Sequence, residues 1–143
     1  MSTLERAIEI AAASHANQIA RCGNPYILHP LRVMLAVKTT EQQIAAALHD
    51  VVGDTHVTLE ELAREGFSSH IVDAVSALTK REGESRIDAA RRAAAHPIAL
   101  HVKLADTRDN MDLKRIAEPY GKDALRLKEY HEVCAYLIAQ GAG

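Results

Sequence analysis

The sequence predicts an all-α protein, a compact bundle of about seven or eight helices. Three observations predict it. Apolar residues recur at helical spacing in segment after segment; hydroxyl residues, Gly and Pro stand where those segments begin and end; and β-branched residues fall inside helical periodicities, with no alternating run of any length. At 143 residues and 48% hydrophobic content, the chain has the size of one domain with a real core, so residues 1–143 are read as a single unit.

The first helix is expected from Thr3 to about Ala20, with Leu4, Ala7, Ile8, Ala11, Ala12 and Ile19 on one face and Ser2 or Thr3 as N-cap. Cys22-Gly23-Asn24-Pro25 punctuates the chain, and His29-Pro30 opens a second helix, because proline is accepted in a first turn. Thr39-Thr40-Glu41-Gln42 marks a break and the start of a central helix expected to run from about Glu41 into Val52. Thr58 with Glu61 has the form of a capping box that opens a short helix to Arg64. Ile71, Val72, Ala74, Val75 and Leu78 make another amphipathic helix, and Lys80 to Ser85 reads as the longest exposed loop. An Ala- and Arg-rich helix follows to Ala95, His96-Pro97 restarts the chain into Ile98–Met111, and a last helix is expected from about Pro119 to Ala139. Its apolar face would carry Leu125, Leu127, Val133, Leu137 and Ile138.

Composition narrows the function. Seventeen Lys and Arg against nineteen Asp and Glu give a net charge of −2, which argues against a general nucleic-acid-binding surface. Two distant cysteines, Cys22 and Cys134, lack both CxxC spacing and the density of a disulfide scaffold, so reduced thiols and a cytoplasmic location are expected. Glu5 and Glu9 interrupt any secretory apolar run, and no stretch approaches the ~18 residues of a membrane span. No membrane partner is expected. Whether the chain forms a homo-oligomer is left open.

The stretch AAALHDVVGDT holds the chemistry. His49 and Asp50 sit side by side among Ala46, Ala47, Leu48, Val51 and Val52, where polar groups cost several kcal/mol to hide without partners. A metal ion is the most economical partner; a hydrogen-bonded buried pair is the plain alternative. Adjacent helical residues point about 100° apart, so the two can share one ion only with help from other helices. His29 at a helix entrance and Asp106 within Lys103-Leu104-Ala105-Asp106 are candidates to close the shell. Two imidazoles and two carboxylates form a mixed N/O set suited to Mn²⁺, Fe²⁺ or Zn²⁺.

In order and spacing, the segments GNPYILHPLRV, LHDVVGDT, LTKREGES and KLADTRDNM resemble GEPYIxHPxxVA, HDxxEDT, LTK and KLADRxxN of the HD superfamily of metal-dependent phosphohydrolases. Within it they are most similar to the (p)ppGpp hydrolase domains of RelA/SpoT proteins and small alarmone hydrolases, over roughly His15 to Met111. The resemblance implies an all-helical HD-domain fold, Mn²⁺ as cofactor, and a small nucleotide as partner, its 3′-pyrophosphate removed by hydrolysis. It implies His29, His49, Asp50 and Asp106 as metal ligands, Asp54 as the group that positions or activates water, and Asn110 as a nucleotide contact. Arg21 and Lys103 are further candidates to face an anionic substrate.

Three positions depart from the family pattern. The Glu of HDxxED is Gly53; the guanine-stacking Arg falls at Ala20, with Arg21 next to it; and Asp109 replaces the His of KLADRLHN. Gly53 removes one carboxylate of a pair, a change typically worth about 10²- to 10⁴-fold in rate. Two further readings therefore stand beside the alarmone hydrolase: an HD hydrolase of another nucleotide or phosphoester, and a catalytically degenerate sensor that binds metal and nucleotide.

Overall fold

The computed structural model describes residues 2–112 and 121–143. Among the described residues there are nine α-helices and no named strand: α1 (Leu4–Ser14), α2 (Leu28–Ala36), α3 (Thr40–Leu48), α4 (Val51–Asp54), α5 (Leu59–Arg64), α6 (Ser69–Leu78), α7 (Arg86–Ala94), α8 (Pro97–Asn110) and α9 (Lys122–Ala139). None is long and apolar enough to cross a membrane.

Most boundaries follow from capping chemistry. The side chains of Thr3, Thr39, Thr58, Ser68 and Ser85 each accept a hydrogen bond from a backbone N–H in the first turn of the helix they precede. Thr58 caps α5 as expected, but the reciprocal capping box forms at Thr39, where the Gln42 side chain returns a bond to the cap backbone. His96 caps α8 through Nδ1, which accepts from the Ile98 N–H at 3.2 Å, and Pro97 follows in the first turn.

The core consists of three apolar clusters, and α3 stands between two of them. Ile44, Ala47 and Leu48 face α1, α5 and α6, whereas Ala45 and Ala46 face α2, α6, α7 and α8. From Ile44 to Leu48 the helix is apolar on all sides and therefore buried, and its small alanines let neighbours come close. The third cluster joins α7 and α8 to α9 through Ala90, Leu104, Val133 and Leu137.

Three expectations need correction. The first helix ends at Ser14, not Ala20, because Asn17 takes a left-handed φ of 70°. Ile19 then pairs with Pro25 in an isolated antiparallel bridge and is 62% exposed, so its helical register was accidental. The central helix does not run through to Val52: it stops at Leu48 and resumes as the single turn α4. His49 explains the break, since its Nδ1–H donates to the Ala46 carbonyl at 2.6 Å, the acceptor that the Asp50 N–H would use in a continuous helix. On α9, Leu125 and Ile138 are 64% and 50% exposed, and Val133, Cys134 and Leu137 form the buried face. The start of that helix expected at Pro119 lies outside the described residues.

Candidate metal centre

Helices α2, α3, α4 and α8 converge on one point. His29 is the second residue of α2, His49 caps the end of α3, Asp50 precedes α4, and Asp106 lies within α8. One ligand atom from each lies within 4.8 Å of all the others. His29 Nε2 is 2.9 Å from Asp106 Oδ1 and 3.6 Å from Asp50 Oδ2. His49 Nε2 is 3.0 Å from Asp50 Oδ2 and 3.3 Å from Asp106 Oδ1. The break falls at these two adjacent residues: His49 keeps helical angles of φ −61° and ψ −28°, whereas Asp50 departs to φ −105° and ψ −2°.

The donor chemistry fits a divalent cation. A carbonyl only accepts, so His49 carries its proton on Nδ1 and its Nε2 presents a lone pair. That Nε2 is fully buried and makes no hydrogen bond, although carboxylate oxygens surround it. Lone pairs facing lone pairs across about 3 Å repel unless a cation lies among them. His29 also turns Nε2 toward the cluster, but not unpartnered: its Nδ1–H donates to Asp109 Oδ2 at 2.6 Å, and its Nε2 meets Asp106 Oδ1 at 2.9 Å.

Without a metal, protons fill part of that role. Burial alone would lower the pKa of His49, but Asp50 and Asp106 outweigh it and raise it well above the ordinary imidazole value. Burial likewise opposes the charge on His29, and hydrogen bonds to Asp106 and Asp109 carry its pKa up to about 9. Asp106, although buried, is held well below the usual carboxyl range by Lys103 and the imidazoles. Tyr26 donates its hydroxyl to Asp50, and burial with that carboxylate pushes its own pKa far upward, so it stays a donor.

Of the other sequence candidates, Lys103 and Asn110 border the cluster: Lys103 Nζ is 3.4 Å from Asp106 Oδ2, and Asn110 Nδ2 is 3.4 Å from Asp106 Oδ1. Asp54 is exposed at the end of α4, one turn beyond Asp50, and accepts from Gln18 Nε2 at 3.2 Å. Gln18 Oε1 in turn meets the buried His15 Nδ1 at 2.8 Å, so His15 supports this edge of the site without joining the ligand group. Arg21 forms its ion pair elsewhere, with Asp123 of α9 at 3.1 Å. Sequence reasoning assigned no role to Tyr26, Gln18, Arg32 or Asp109. The GNPY segment was a signal for Tyr26, and the substitution of Asp for His in KLADTRDN was one for Asp109.

A family model described as the HD domain matches residues 7–125. The chain is 32% identical to the guanosine-3′,5′-bis(diphosphate) 3′-pyrophosphohydrolase MESH1 of Danio rerio, over 96% of this chain and 83% of that protein. It is 39% identical to the bifunctional (p)ppGpp synthase/hydrolase RelA of Mycobacterium tuberculosis over 96% of this chain, and 38% identical over the same share to a probable GTP pyrophosphokinase of Mycobacterium leprae. The matched regions are only 20% and 19% of those two longer proteins. The fold matches the solved structure of a metazoan ortholog of SpoT, described as hydrolysing ppGpp, with a TM-score of 0.76 over 98% of this chain and 85% of that one, at 23% identity. With the His/Asp group assembled in an all-helical frame and the match spanning most of its length, the chain belongs to the HD-domain family.

Proposed function

We propose that this protein is a divalent-metal-dependent phosphohydrolase that removes the 3′-pyrophosphate from guanosine polyphosphates such as (p)ppGpp, with Mn²⁺ as the metal and the cytoplasm as its location. The observation that carries this reading is the buried, unbonded Nε2 of His49 among His29, Asp50 and Asp106, in a chain that matches 83% of a named alarmone hydrolase. His29, His49, Asp50 and Asp106 would hold the ion. When bound, it supplies Lewis acidity to a phosphoryl oxygen and acidity to water.

The remaining steps fall to side chains. Asp54, held by Gln18, takes a proton from the attacking water at Oδ1 or Oδ2. Water oxygen forms the new bond to phosphorus, the bond from phosphorus to the ribose 3′-oxygen breaks, and a proton returns to that oxygen; ppGpp then yields GDP and pyrophosphate. Tyr26 fixes Asp50, so the ligand cannot swing away. Lys103 and Asn110 stand where an anionic substrate would meet the cluster, and Arg21 would have to exchange Asp123 for the substrate to contribute.

Gly53 supports a second reading, in which the protein binds metal and nucleotide with little turnover, and Ala20 supports another nucleotide as substrate. Pyrophosphate release from ppGpp by Mn²⁺-loaded protein, run beside a nucleotide panel and the Gly53→Glu variant, separates the three. Turnover of ppGpp above the panel supports the alarmone reading. Preference for another nucleotide, or turnover by the variant alone, replaces it.

A further inference from the structure

Beside the cluster lies a pair of residues that no motif assigns. Asp109 stands where the resembling segment has His, and its carboxylate joins two helices. Oδ2 accepts the Nδ1–H of His29 at 2.6 Å, while Arg32 grips the same carboxylate with Nε at 2.8 Å from Oδ1 and Nη2 at 3.1 Å from Oδ2. Arg32 follows His29 by one turn on α2, and Asp109 follows Asp106 by one turn on α8. Both members of the pair thus share a helix with a candidate ligand.

We propose that Asp109, clamped by Arg32, is the positioning residue of the metal centre, fixing His29 in its Nδ1–H form with Nε2 aimed at the cluster. The physical reasons are separable. An imidazole whose Nδ1–H faces a carboxylate is a stronger donor through Nε2 and loses its rotational freedom about the ring. The carboxylate is itself held by a two-pronged guanidinium, which allows one orientation where a single ammonium would allow many. A histidine at position 109 could accept one hydrogen bond, but it would offer Arg32 neither a negative charge nor two oxygens. Arg32 and Asp109 are therefore a matched pair, and changing either should loosen His29.

The inference rests on the metal reading, and its test reads metal affinity rather than turnover. Metal-stripped protein is titrated with Mn²⁺ by calorimetry, with folding of each variant followed by circular dichroism. Asp109→Ala should bind Mn²⁺ about 10- to 100-fold more weakly than the natural protein. Asp109→Glu should recover part of the loss, Asp109→His should not, and Arg32→Met should fall between natural protein and Asp109→Ala. In Zn²⁺-loaded protein, ¹⁵N imidazole spectra should place the His29 proton on Nδ1 and lose that uniformity in Asp109→Ala. Unchanged Mn²⁺ affinity in folded Asp109→Ala overturns the proposal; should that variant not fold, unchanged affinity in Arg32→Met overturns it equally. Failure of the natural protein to take up metal at all would instead remove the metal reading and this inference with it.

Discussion

At Gly53 the chain carries no side chain where the HDxxED pattern it resembles has a carboxylate. It sits on α4 with Asp54 next to it, and a Cβ built there would meet only Thr79 Cγ2, at 3.8 Å, an ordinary contact. The position is exposed and its φ is not positive, so Gly53→Glu needs no backbone strain. Replacing a helical glycine should raise stability by about 0.5–1 kcal/mol. If the missing carboxylate limits the site, the same variant should gain about 10²- to 10⁴-fold in pyrophosphate release. A variant that is more stable but no faster would show that water activation is not what the chain lacks. Asp106→Ala makes the complementary case: it removes the carboxylate that both imidazoles and Lys103 address, so metal content and turnover should vanish together. Turnover retained by metal-free Asp106→Ala would refute the assignment of that ligand.

At the scale of elements, the link between α6 and α7 depends on Arg92. Its guanidinium reaches three carbonyls at the end of α6, those of Ser76, Ala77 and Thr79, at 2.8–3.1 Å, and pairs with Glu84 at 2.7 and 2.9 Å. The loop from Lys80 to Ser85, which the sequence marked as the longest exposed one, is pinned through Glu84 by this one side chain. Arg92→Met should cost about 2–3 kcal/mol, because it strips charged hydrogen bonds from three carbonyls and a carboxylate at once. Its melting midpoint should fall by about 5–10 °C. The hydrogen bonds from Arg92 hold Glu84 down to about 2, so the pair's contribution is present above the ordinary carboxyl pKa and is lost as pH falls toward 2. The stability gap between natural protein and Arg92→Met should narrow over that acid range without closing, because the bonds to the three carbonyls do not titrate, and melting curves at stepped pH would check it. Elements such as α6 and α7 were legible because apolar spacing and a serine cap agree locally. The break between α3 and α4 was not legible. No glycine or proline stands at His49 or Asp50, and the interruption comes from the His49 side chain taking a backbone acceptor, a choice made by the site rather than by propensity. Ile19 misled for the opposite reason, since a residue in helical register is no evidence of helix when nothing packs on it.

On the scale of the whole molecule, the motif residues His29, His49, Asp50 and Asp106 were legible as a group, whereas the Asp109–Arg32 pair that supports them was not, because it arises only when α2 meets α8. The same meeting makes the metal a structural tie as well as a chemical one, and pH should reveal it. In the metal-free protein, burial opposes the charge on His29, but hydrogen bonds to Asp106 and Asp109 raise its pKa to about 9. Its protonated form therefore contributes stability that is complete below the unfolded value of about 6.5 and disappears as pH rises through about 9. A metal ion competes with that proton for Nε2, so metal binding strengthens over the same interval. The two effects move the metal-free and metal-loaded proteins apart as pH rises. With Mn²⁺ at about 100 times its dissociation constant, binding to the folded state alone adds about 2.7 kcal/mol, or about 5–10 °C in melting midpoint at this chain length. At one fixed Mn²⁺ concentration, the gap between loaded and chelator-treated protein should be larger at pH 8.5 than at pH 6.5, and it should be absent in Asp106→Ala at both. A gap that shrinks as pH rises would mean that the ion does not displace the His29 proton, and no gap at either pH would mean that these helices are joined by hydrogen bonds and packing alone.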